Sequence, residues 1–316
     1  MKKFSISMAT LGLLLAWFAP LAAAQDECGD LYKKWYEAYG KKDYAAGLSL
    51  AKEFVAKCTS HPQFAYVKDK YIPAARQNLF NQYHTEGKIN ELVAMGKEVL
   101  AETPDNIDYL WTMVYDIRTK ELFASPPNYS HAADAMDFSQ RVVKLVEGGK
   151  LPNGVTKEKA NSILAILNQT MGVIEQNGKN QDKATEHFKK AIAADTADGA
   201  SNAYNYYQLG LMQQSKVDAA SKKYEAFPQA DKEQDPPKPE VKAALDDLKA
   251  QAGLLIDYWG HFLALGESNN YKTRGDVEKT VMDWYKFLHD EKADGFQEYI
   301  KSLKPGASGS TPPSNN

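Results

Sequence analysis

The feature that most constrains this chain is a pattern of interruptions. Apolar residues recur at helical spacing almost throughout Asp30 to Lys304, as in Leu92, Met95, Val99 and Leu100, which share one helix face. Sustained alternation of β-branched residues is missing, and Asn153-Gly154 and Asn177-Gly178 sit between helical runs rather than strand-like ones. The helical runs break at short turns. Gly40-Lys41-Lys42-Asp43, Glu86-Gly87-Lys88 and Asn177-Gly178-Lys179 each put glycine near a helix C-terminus, where a left-handed residue is needed. Thr103-Pro104-Asp105-Asn106 stops a helix because proline cannot continue one. Helix, glycine turn, helix, proline turn predicts an all-α chain of helical hairpins.

The pattern has a period. Pro73 to Asn106 spans 34 residues, with Leu79 and Tyr83 on the first helix, Gly87 in the turn, and Leu92, Gly96 and Val99 on the second. Ala165 to Asp198 has the same length, with Gly172 on its first helix and Ala184, Phe188 and Ala191 on its second. Looser units run from Tyr32 to Ser60, from Ile107 to Glu147 with an enlarged turn at Phe123 to Ser130, and from Ser201 through Leu209-Gly210. The chain therefore resembles the tetratricopeptide-repeat family over residues 25–215. That resemblance implies a right-handed superhelical solenoid of about five helix-turn-helix hairpins.

Residues 216–240, with Pro228, Pro236, Pro237 and Pro239 among charges, read as a helix end and linker. Residues 241–304 carry three further helical stretches, expected to cap the apolar end of the array. Residues 305–316 are rich in Gly, Ser, Pro and Asn and read as a disordered tail. At the other end, Lys2 and Lys3, the apolar stretch Met8 to Phe18 and the small residues Ala22-Ala23-Ala24 read as a signal peptide over 1–24. An uncleaved anchor is the competing reading, although the stretch is short for a membrane span. Cleavage before Gln25 predicts an exported protein, periplasmic or secreted, of bacterial type, with no membrane insertion afterwards.

Two cysteines are too few for a disulfide framework. Cys28 precedes the first helix and Cys58 ends the second, and an antiparallel hairpin brings those two ends together. Export adds an oxidising compartment, so a Cys28–Cys58 disulfide is expected. A redox pair, which needs closer spacing, and two free thiols are the alternatives.

Little in the sequence points to catalysis. No two of the six histidines stand four residues apart, and none follows a glutamate at three, so the helical zinc-protease and di-iron patterns are missing. There is no Gly-x-Ser-x-Gly turn and no phosphate loop on a strand. No catalytic residue, metal or cofactor is expected. With 38 basic against 41 acidic residues the chain lacks the basic footprint of a nucleic-acid binder.

Binding is the remaining function class. In the family that the chain resembles, the first helices of successive hairpins line a groove that holds a partner peptide. Those positions fall here on Gln77, Asn81 and His84; on Trp111, Tyr115 and Arg118; on Gln169, Val173 and Gln176; and on Tyr204, Tyr207 and Gln214. The row is rich in amides and aromatics with one arginine, and it lacks the cations that would clamp an acidic peptide terminus. The expected function is a non-catalytic scaffold for a protein or peptide partner in the cell envelope. A carbohydrate or small-ligand receptor using the same groove is the alternative.

Overall fold

The computed structural model describes the backbone of residues 19–305 and the side chains from Glu27 onward. The expectations for residues 1–18 and 306–316 lie outside the described residues. Within them the chain is all-helical, and no strand is present. The helices are α1 (Ala19–Gly40), α2 (Tyr44–Lys57), α3 (Ile72–Glu86), α4 (Ile89–Glu102), α5 (Ile107–Ile117), α6 (Ala132–Glu147), α7 (Ala160–Asn177), α8 (Gln181–Ala197), α9 (Ala203–Glu225), α10 (Pro239–Ala264), α11 (Arg274–Leu288) and α12 (Phe296–Ser302). Single π-helical turns, Val67–Tyr71 and Arg118–Leu122, lead into α3 and out of α5. Helix α1 runs without a break through Ala22 to Gln25, where the leader was expected to end.

The chain divides into two compact units at Asp116, near the end of α5. In the first, α1 packs on α2, α2 on α3 and α3 on α4. Its core gathers Leu31, Trp35, Leu48, Phe54, Val67, Tyr71 and Leu79. In the second, α6 packs on α7, α7 on α8, α8 on α9 and α9 on α10. Helices α11 and α12 both lie against α10, their Val281, Tyr285, Phe296 and Ile300 joining Leu255, Trp259 and Phe262 in one core. Thus α10 packs both on α9 and on the two helices that follow it.

The turns differ from the expectation in one respect. At Gly87 the glycine takes the left-handed conformation (φ 70°), and the amide of Lys88 reaches back to the carbonyl of Tyr83. In the other two glycine turns the left-handed residue is Lys42 (φ 56°) or Lys179 (φ 61°), not Gly40 or Gly178. The reason lies in the closing bonds. Asp43 N donates to Ala38 O and Asn180 N to Glu175 O, a six-residue closure that puts the reversal immediately before the donor. Asp43 also accepts from the amide of Ala46, which begins α2 with an ordinary cap.

Glycine does its other work where one helix packs on another. A Cβ on Gly172 would meet the ring of Phe188 at 2.9 Å, so Phe188 of α8 is seated directly on the α7 backbone. A Cβ on Gly210 would lie 2.0 Å from the indole of Trp259, which covers α9 from α10 and donates to the carbonyl of Tyr207 at 3.2 Å. Gly47 under Tyr71 and Gly96 under Met113 repeat the device in the first unit. Because both rows of side chains interdigitate this closely, each helix pair approaches to a distance that only a missing side chain permits.

The disulfide is present. Cys28 at the start of α1's buried stretch joins Cys58 immediately after α2, with the Cα atoms 5.6 Å apart, and no free cysteine remains.

Candidate functional site

The expected binding row separates into two parts, one in each unit. In the first, Gln77, Asn81 and His84 follow one another at helical spacing along α3 and are all exposed. On α5, Trp111 is half-buried and Tyr115 exposed, their ring centres 5.9 Å apart. The two helices are held in register by a polar and an apolar contact. His84 Nδ1 lies 2.8 Å from Asp116 Oδ2, and Phe80 packs on Tyr109 with ring centres 4.2 Å apart. Asp116 is 1% exposed, so this carboxylate is withdrawn from water and the imidazole holds the surface end of the pair. The result is a face of two amides, an imidazole and two aromatic rings on a locked pair of helices.

The second unit uses its share of the row internally. Gln169 is buried; its side-chain amide donates to Asn205 Oδ1 at 2.9 Å and its oxygen accepts from the Arg118 guanidinium. Arg118 itself lies over the ring of Phe123 at 4.3 Å. Gln176 donates to Gln208 at 2.8 Å. Tyr204 packs against Phe123 and Phe188, and burial drives its phenol far above the usual range. Tyr207 rests on Phe262 and Tyr271, and its hydroxyl accepts from Thr273. Gln214 is half-buried. The amides and rings that could have met a ligand here instead join α7 to α9, and α9 to α10 and the turn before α11.

Three polar features escaped sequence reasoning. Asp116 gave no signal, since its role depends on reaching His84 thirty-two residues earlier. Glu121, buried in the second π-helical turn, accepts from Asn128 Nδ2 at 3.2 Å and lies 3.0 Å from His131 Nδ1, which ties down the enlarged turn before α6. Tyr36, Tyr39 and Tyr66, which the sequence reading did not single out, are exposed.

Among the described residues no cluster of three or more His, Cys, Asp or Glu could hold a metal, and no helix is long and apolar enough to cross a membrane. A cleft of about 300 Å³, open to solvent, lies between α9 and α10 and is lined by Lys216, Ala219, Lys223, Asp247 and Gln251. It contains none of the expected binding residues. No protein-family model matches the chain, and no curated protein matches it.

Proposed function

We propose that this chain is an exported, non-catalytic helical-repeat protein of tetratricopeptide type, which binds a protein partner through the α3/α5 face of its first unit. The observation that carries the reading is the exposed set Gln77, Asn81, His84 and Tyr115 with half-buried Trp111, on helices fixed by the His84–Asp116 bond. Aromatic rings beside amides give a partner both contact area and hydrogen bonds at small entropy cost.

The repeat reading, of which a right-handed solenoid is part, draws support for its period, though not its hand, from a recurring separation. First helices of successive hairpins meet through Trp35 and Tyr71, His84 and Asp116, Gln169 and Asn205, and Gln176 and Gln208, all 32 to 36 residues apart. Stacked hairpins of about 34 residues give that spacing. Export draws support from the leader-like residues 1–24 and from the disulfide, which survives in oxidising compartments.

The test is affinity capture from envelope extract with the full chain and with Trp111→Ala/Tyr115→Ala. A protein recovered by the first and lost by the second is the expected result. Identical recovery by both removes this face as the contact. The second unit's Gln169, Tyr204 and Tyr207 are left out of the proposed contact because their polar atoms are already engaged.

A further inference from the structure

Helix α1 buries Leu31, Trp35 and Ala38 and turns a different set outward. Tyr32, Tyr36 and Tyr39, at i, i+4 and i+7, form one stripe, with ring centres 6.1 and 6.3 Å apart and planes within 22° and 32° of each other. Tyr66 stands beside them; hydrogen bonding with Tyr39 raises its phenol above the usual range. Tyr36, Tyr39 and Tyr66 are 58%, 45% and 46% exposed, which is expensive for rings of this size unless something covers them. Gly29 and Gly40 fall on the same flank as Tyr36, and a Cβ on either would meet nothing within 4 Å, so no described residue fills that flank.

The chemistry of this strip is selective. His61 stacks on Tyr32 at 5.1 Å and accepts from the backbone amide of Gln63, so rings make up the described contacts of this strip. Helical peptides call for aliphatic or Met-lined grooves and proline-rich peptides for aromatic-lined ones, and what sets this strip apart from both is the lysine charge beside its rings. Flat π faces rimmed by hydroxyls instead match a pyranose ring, whose weakly positive C–H face lies on the negative ring face while its hydroxyls reach phenols and amides. Charge narrows the class further. Residues 29–43 and 61–71 carry six lysines against four carboxylates, in a chain of net charge -3. Lys33 lies between Gly29 and Tyr36 on the flank, and Lys70 follows Tyr66 by one helical turn. Both are exposed, and neither makes an ion pair among the described residues.

We infer that the tyrosine strip of α1 and Tyr66, flanked by Lys33 and Lys70, is a binding surface for an acidic polysaccharide. Sugar rings stack on Tyr36, Tyr39 and Tyr66, and the polymer's anionic groups meet the two lysines. This surface lies on different residues from the α3/α5 face and stands or falls independently of it.

Native gel retardation of the full chain through immobilised polygalacturonate, alginate and dextran sulfate tests the assignment, with neutral dextran, poly-glutamate and oligothymidylate as comparators. Retardation by at least one acidic polysaccharide is expected, with weakening as salt rises past about 0.15 M. Tyr36→Ala/Tyr39→Ala should weaken it by about tenfold or more, a loss of about 1.4 kcal/mol. Gly29→Glu, which leaves every ring in place but sets a like charge on the same flank, should weaken it too, while Trp111→Ala/Tyr115→Ala should not. Circular dichroism establishes that each variant is folded. Passage of the wild-type chain through all three acidic matrices, retention unchanged in both the tyrosine and Gly29→Glu variants, or equal retention by poly-glutamate or oligothymidylate would each overturn it.

Discussion

Replacing Gly210 by alanine sets two effects of known size against each other. In the interior of α9 the added methyl favours the helix by about 1 kcal/mol. Against this, the new carbon would stand 2.0 Å from Cδ1 and Nε1 of Trp259, a residue only 3% exposed. The indole has to shift, and overpacking of a filled core costs about 1–3 kcal/mol. Its Nε1–H leaves the Tyr207 carbonyl, now 3.2 Å away, and a buried donor without a partner costs about another 1–3 kcal/mol. The clash wins by about 3 kcal/mol, which for a unit of this size is a fall in Tm of about 6–12 °C. Gly253→Ala on α10 is the matched control, since a Cβ there meets nothing within 4 Å and only the helix preference remains. Thermal melts by circular dichroism should therefore move in opposite directions for the same chemical change. A Gly210→Ala midpoint at or above the wild-type value would refute the account of how α9 and α10 pack.

Three further outcomes are expected. Cys28→Ser/Cys58→Ser opens a loop with a sequence separation of 30, and loop-closure entropy puts the loss at about 3.6 kcal/mol in urea unfolding; a midpoint insensitive to reductant in the wild-type chain would contradict it. Lys179→Gly relieves a left-handed lysine and should stabilise by up to about 1 kcal/mol, whereas Gly87→Ala should destabilise by about 1 kcal/mol or more, both read from urea midpoints. Burial, with Lys190 nearby, lowers the pKa of His187, so the unfolded chain takes up the proton first. That contribution to stability is intact above the unfolded pKa of about 6.5 and is lost as pH falls from there toward the folded value. His187→Gln should flatten the difference between urea midpoints at about pH 7.5 and 5.5, and an unchanged slope would exclude it.

The helices were legible because their boundaries are written in residues with few conformational options. Pro104 and Gly87 each limit the backbone to few conformations and were readable from spacing, whereas the seating of Phe188 on Gly172 appears only in the structure. The π-helical turns were not, because Val67–Tyr71 and Arg118–Leu122 contain ordinary helix formers and the extra residue is imposed by packing. The left-handed lysines were missed for a related reason: which residue reverses depends on which carbonyl the closing amide reaches, and Gly40 is only two positions from that point. Exposure along the expected row was half legible. Gln77 and Gln169 occupy equivalent places in the repeat pattern, yet one faces water and the other bonds Arg118 and Asn205, a difference set by partners far away in sequence. The tyrosines of α1 were ambiguous for the opposite reason, since an i, i+4, i+7 stripe describes a buried face and an exposed one equally well.

The bond between Cys28 and Cys58 has a consequence for how the first unit comes apart. In the first unit α1 packs on α2 and α2 on α3, so the α1/α2 pair of rods stands at one end of the packing order, where fraying ordinarily begins. Here the sulfur link staples the outer rod to the next, so the pair cannot peel away rod by rod while oxidised. Near that link the backbone amides of α1 and α2 are shielded together, and adding reductant should speed their exchange with solvent water.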